Sequence, residues 1–238
     1  MKICIASEEM RRESRECILR LVDKLIFIKP LEELYPAISS HGDIQVCPVG
    51  KSKIVVHPKI NHETLASMKK AGLEVLTGKM ELKGKYPENI YYNVGICGKY
   101  YFHKLSHTDS VIRVELAKKN IIPVGVRQGY AKCSMISIGG RRAVTSDAVI
   151  GKKTFGLGIE TLLLPPGGGI LLPGFDYGFI GGCCGVDDSE KVVFLNGSTD
   201  KYLYGEELRA FIKRAGYNLV ELHGGALEDI GSIFIFEV

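Results

Sequence analysis

The chain has 238 residues, enough for one large domain or two small ones, with 45% hydrophobic and 24% charged residues. Such values exclude extended disorder and leave ample chain for a buried core. Lys+Arg 31 against Asp+Glu 27 gives a net charge of +4, too small to argue for nucleic-acid binding on charge alone.

No apolar run approaches the roughly 18 residues that cross a bilayer. The opening MKICIASEEMRRES turns charged after a short apolar run and carries no signal-peptide pattern, so a soluble, cytoplasmic protein is expected. The seven cysteines are an odd number in a chain too long to need staples, and no CxxC pair suggests zinc. No cofactor motif is present. Gly151-Lys152-Lys153-Thr154 lacks the full phosphate-loop pattern and falls within a helical segment.

In chain order, MKICIAS predicts a strand, followed by a helix over EEMRRESRECILRLV that Ser7 can cap, and the strand KLIFI. IQVCPVGKSKIVVH predicts a hairpin; Asn61 then caps the helix HETLASMKKA, Gly72 ends it, and LEVL follows. NVGICGKYYFHK is a second hairpin, with Asp109 before the helix SVIRVELAKK, Asn120 at its end and IIPVGV after it. AKCSMISIGGRRAVT leads to the helical DAVIGKKTFG after Ser146, and to IETLLL. PPGGGILLPG, from Pro165, reads as a long turn forming a rim loop. GFIGGCCGVDDSEKVVFLNG is the fourth hairpin; Gly205 opens EELRAFIKRA, Gly216 ends it, and YNLVEL follows. The caps rest on side-chain oxygens for free amides and on residues that tolerate positive φ.

Four units therefore read hairpin, helix, strand, and the closing DIGSIFIFEV is a strand without a partner. Paired with the first strand, it completes a fifth unit and removes an exposed edge. An open doubly wound sheet would instead carry GxGxxG after its first strand, which is absent. The expected fold is an α/β closed five-unit propeller, one domain over residues 1–238, its fifth unit completed by the two terminal strands.

This pattern resembles the guanidine-modifying enzymes, or penteins, which include arginine deiminases, amidinotransferases, dimethylarginine dimethylaminohydrolases and a non-catalytic ribosome anti-association factor. Two stretches carry the likeness: Asn93 to Met135, ending in CSM, and VELHGGALEDIGSIFIF. Both resemble dimethylarginine hydrolase segments. The resemblance implies a substrate-binding carboxylate at Asn93, a catalytic imidazole near Gln128, and a nucleophilic thiol at Ile230, Asp229 or Gly231. None of these residues is competent in that role. Ile230 has no nucleophile, Gln128 exchanges no proton near neutral pH, and Asn93 lacks the charge that strengthens a hydrogen bond to a cation. The usual catalytic set is therefore expected to be lost.

In a closed array the starts of the first hairpin strands converge on the axis. These positions read Asp43, Asn93, Arg127, Gln128, Asp176, Glu228 and Asp229, and clustering should raise some of their carboxyl pKa values. The expected function is binding of a small cationic ligand (guanidino, amine or amino-acid-like) in a central polar pocket. One alternative is a divergent amidino hydrolase using Cys183 or Cys184 with His223. Another is a ribosome- or protein-interaction module. Against the thiol alternative, Cys47, Cys97, Cys133 and the Cys183-Cys184 pair read as small residues at one repeated packing position. In His107-Thr108-Asp109, Thr108 or Asp109 is expected to cap a helix rather than act in catalysis.

Overall fold

The computed structural model describes all 238 residues. Its strands form five separate three-stranded sheets. The first sheet has β1 (Lys2–Ser7) in the middle, with β15 (Phe234–Glu237) antiparallel on one side and β2 (Lys24–Ile28) parallel on the other. The same inner, middle, outer order recurs four times. It is built from β3 (Val46–Pro48), β4 (Lys53–Val56) and β5 (Glu74–Thr77), then β6 (Gly95–Cys97), β7 (Tyr100–His103) and β8 (Ile122–Gly125). The last two are β9 (Met135–Ile138), β10 (Arg142–Thr145) and β11 (Glu160–Leu163), and β12 (Cys184–Asp187), β13 (Val192–Leu195) and β14 (Asn218–Glu221). In each, a hairpin supplies the antiparallel pair and a helical crossover the parallel one, as a crossover connection requires.

The ring closes through side chains rather than through a hydrogen-bonded barrel. Five buried apolar clusters lie between successive sheets. Ile54 and Val56 pack with Ile3 and Phe236, Val55 with Tyr101, and Phe102 with Ala143. Val144 packs with Val193, and Phe194 with Cys4 and Ile233. Each cluster also takes the buried face of one crossover helix: α1 (Arg12–Ile18), α3 (His62–Lys70), α4 (Ser110–Lys118), α5 (Ala148–Gly156) or α6 (Gly205–Arg214). Inner strands β6, β9, β12 and β15 touch in succession around the axis.

Most helix ends follow the capping chemistry. Asn61 accepts from the N–H groups of Glu63 and Thr64, Asp109 from that of Val111, and Asp147 from that of Ile150. Gly72, Asn120, Gly158 and Gly216 end their helices at positive φ. The first helix differs. It begins only at Arg12 and has no side-chain cap, because Ser7 remains in β1, where its hydroxyl bonds Ser40 at 2.6 Å and accepts from the Glu9 N–H.

The cysteines also differ from a single repeated position. Cys47 is inside β3, Cys97 ends β6 at the hairpin, Cys133 precedes β9, and Cys183 and Cys184 straddle the start of β12. A one-turn helix, α2 (Gly42–Gln45), lies ahead of β3 without a sequence signal of its own, and it carries Asp43. No helix is long and apolar enough to cross a membrane.

Candidate binding site at the hub

The backbone leading into the inner strands brings Asp43, Asn93, Cys133, Asp229 and Ser232 together, all buried. Asp43 accepts a hydrogen bond from Ser232 Oγ at 2.6 Å through one oxygen, and its other oxygen has no partner. Asn93 holds the approach to β9. Its Oδ1 accepts from the N–H groups of Lys132 (2.8 Å) and Cys133 (3.2 Å), and its Nδ2 lies 2.9 Å from Cys133 Sγ. Asp229 accepts from Phe179 N–H at 2.8 Å and Gly231 N–H at 3.1 Å, while His41 Nδ1 is 3.8 Å from its Oδ1.

Gly182 explains part of this geometry. A Cβ there would stand 1.9 Å from Asp229 Oδ1, so the glycine makes room for the carboxylate rather than giving access to the adjacent thiols. Ser232, at φ 71, and Gly231, also at φ 71, turn the chain sharply into β15. A side chain at Gly231 would meet His41, with its Cβ 2.3 Å from that of the histidine.

Asp229, His41 and Cys133 line a cavity of about 300 Å³ whose remaining wall is largely aromatic. Tyr35 and Phe175 stand with ring centroids 5.5 Å apart; Tyr130 and Phe179 are 6.3 Å apart, as are Tyr177 and Phe179. The rim loop that starts at Pro165 supplies Leu172 to this wall and leads directly into Phe175, Asp176 and Tyr177, which also line it. It is tied down by Leu171, whose N–H donates to Leu227 O and whose carbonyl accepts from Asp229 N–H.

The burial of the polar groups sets their charge states. Burial, together with the charge of Asp229, raises the Asp43 carboxyl, with His41, Lys132 and the Ser232 hydroxyl pulling the other way. Asp229 is pushed up to about 6 by burial, opposed by the two N–H groups and Lys132. Burial lowers His41, and so favours the neutral ring. The Cys133 thiol is pushed well up by burial and by the neighbouring Asp43 and Asp229 charges. No three of the chain's His, Cys, Asp and Glu side chains are grouped as a metal ion would need.

Not every expected residue reaches this point. Asp43, Asn93 and Asp229 do, and Asp176 stands exposed on the cavity rim. Glu228 turns into an adjoining cleft, where Arg11 Nε donates to it at 2.6 Å. Arg127 is exposed, and Gln128 binds the Tyr130 N–H and the α5 cap Asp147 instead of the hub. The reason is spacing: four residues separate Gln128 from Cys133, and Tyr130 and Cys133 take the places beside the axis. Ile230 packs in the apolar cluster with Cys4 and Phe194. Cys183 and Cys184 are fully enclosed, and Cys184 faces a different cavity. Burial raises both thiols, that of Cys184 to about 12.

His41, Lys132, Cys133 and Ser232 were not singled out by the sequence as hub residues. Their one local signal is position, since each lies within a few residues of the start of an inner strand.

Five three-stranded units about a polar hub are the pentein fold, the architecture of guanidino-group-modifying enzymes. A dimethylarginine dimethylaminohydrolase solved as an adduct with 4-chloro-2-hydroxymethylpyridine superposes with a TM-score of 0.59 at 13% identity, covering 98% of this chain and 99% of that one. The enzyme of that name from Pseudomonas aeruginosa, complexed with citrulline, gives 0.56 at 11%, covering 98% of each chain. The amidinotransferase SxtG from Microseira wollei gives 0.55 at 11%, covering 96% and 93%. At such identities the likeness is one of fold. Residues 5–234 match the family of unknown function DUF6873, and the chain belongs to that family. No curated protein matches the sequence.

Proposed function

We propose that this protein binds a small organic cation (a guanidino, amine or amino-acid-like compound) in the hub cavity and has lost the amidino-hydrolase reaction of its fold. The observation that carries the reading is a buried carboxylate, Asp229, in a cavity of about 300 Å³ walled by aromatic rings. Aromatic faces attract cations by their quadrupole, most strongly when water is excluded, and a buried carboxylate adds charge and directed acceptors. Asp43, with an unpaired oxygen, adds a second buried carboxyl group nearby. Asn93 serves as a positioning residue by holding the Lys132–Cys133 backbone. Asp176 contributes negative charge at the mouth.

Calorimetry with methylguanidine, arginine, putrescine and choline tests this. At least one should bind saturably, and Asp229→Asn should weaken it tenfold or more. No saturable heat with any of them, or equal affinity in the variant, overturns the reading.

A second reading has one specific observation in its favour: a thiol, Cys133, and an imidazole, His41, line the same cavity as Asp229. An amidino hydrolase on this scaffold would use Cys133 rather than Cys183 or Cys184, because those two do not line the hub cavity. Against it, the thiol is held protonated, whereas the thiolate is the nucleophile. Rapid alkylation of Cys133 by iodoacetamide, with ammonia or amine release from guanidino compounds that Cys133→Ser abolishes, would establish it. Slow alkylation and no turnover are expected.

A further inference from the structure

A second cavity, of about 260 Å³, runs along the inner strands. The hub cavity takes residues that precede those strands, such as His41 and Cys133; this one is lined chiefly by residues within them, with Val94, Lys132 and Ile233 just ahead of their starts. All five inner strands contribute, through Pro48, Ile96, Ile136, Val186 and Ile235. The wall is predominantly apolar, and Lys132 supplies its positive charge.

Lys132 is a half-buried lysine whose direct hydrogen-bond partners are neutral, with the Asp43 and Asp229 carboxyls close enough to feel its charge. Its ammonium donates to Ser232 Oγ at 2.9 Å and Gly181 O at 3.4 Å, and lies 5.5 Å from the ring centroid of Phe234; it forms no ion pair with a carboxylate. An ammonium offers three donors, and only two have acceptors here. With no carboxylate in direct contact, the free donor of this half-buried ammonium can pair with an anion that enters the cavity.

We infer that this cavity is a binding site for a small monocarboxylate with a short apolar tail, its carboxylate on Lys132 Nζ and its tail against the inner strands. The walls select the class. A phosphate or dicarboxylate would bring a second charge with no partner among Ile96, Ile136 and Val186, and Asp188 at the lining opposes it. A neutral analogue would leave the lysine unpaired. The volume is below the usual range for drug-sized ligands and suits a compact molecule. The site does not require the cation reading at the hub, although Lys132 also acts on Asp43 and Asp229 there.

Methyl NMR of Met135, Ile136 and Ile233 during titration with sodium benzoate tests the inference, with benzyl alcohol as the neutral isostere. Benzoate should shift these methyls saturably, and benzyl alcohol should bind at least tenfold more weakly. Lys132→Met should lose benzoate affinity tenfold or more. Val186→Trp, which fills the cavity and keeps the lysine, should lose it as well. If Lys132→Met does not fold, the neutral isostere and Val186→Trp decide the matter. Non-saturating shifts, equal binding of the alcohol, unaffected affinity in Val186→Trp or in folded Lys132→Met, or shifts confined to the hub around His41 would each overturn the site.

Discussion

At the residue scale, the hub is governed by the cost of placing charge where water cannot reach it. Asp229 illustrates this, since two backbone N–H groups and Lys132 only partly offset its burial and leave its carboxyl near 6. The folded value lies above the ordinary one, so the contribution to stability is complete below about pH 4 and is lost as pH rises through about 6. Relative to Asp229→Asn, the native protein should therefore lose on the order of 3 kcal/mol of stability across that window, read by urea unfolding at several pH values. Cation binding runs the other way, because only the ionised carboxylate attracts the ligand. Affinity should fall about tenfold per pH unit below 6 and level off above it. A flat binding profile between about pH 5 and 8 would remove Asp229 from the site.

At the element scale, the loops that carry hub residues are held by side chains that also terminate helices or strands. Asp109 does two jobs: one oxygen caps α4, and the other accepts from the N–H groups of Lys79 at 2.7 Å and Met80 at 2.8 Å. Asn61 only caps α3. Asn61→Ala should cost about 1 kcal/mol, and Asp109→Ala about 2–3 kcal/mol because it also leaves two amides without their acceptor. Denaturant midpoints of the two variants check the order. His103, at the end of β7, is a comparable tie, bonding Thr108 Oγ1 at 2.8 Å and facing the carbonyls of Ile90 and Gly129 at 3.1 Å each. His107-Thr108-Asp109 is thus an anchoring segment, with Asp109 as the cap.

At the scale of the whole molecule, stability depends on closing the ring. β15 joins two of the five clusters, through Phe234 and Phe236 on one side and the adjoining Ile233 on the other. The chain ends meet there, with Val238 N–H donating to Met1 O at 3.0 Å. Removing residues 234–238 should therefore abolish cooperative unfolding of the entire ring rather than loosen one unit. A circular permutant joining Val238 to Met1 by a short linker, opened at the exposed Lys51 turn, should retain a single cooperative transition. Circular dichroism melts distinguish these outcomes; a truncated chain that melts like the intact one would refute the dependence on closure.

The unit pattern was legible because it is written in local chemistry. Hairpins, caps such as Asn61 and Asp109, positive-φ stops such as Gly72 and Gly216, and an unpartnered terminal strand all act over a few residues. Asp43, Asn93 and Asp229 could be placed near the axis because each lies just before an inner strand. The sequence could not decide which neighbours would turn inward, since that depends on contacts between units distant in the chain. Gly182 admits Asp229, Gly231 approaches His41, and Ser232 joins Asp43 to Lys132, whereas Gln128 turns to a helix cap and Ile230 to the core. The strand ladder was fixed by periodicity and turns; the composition of the hub was decided by close packing around an axis that exists only once all five units have met.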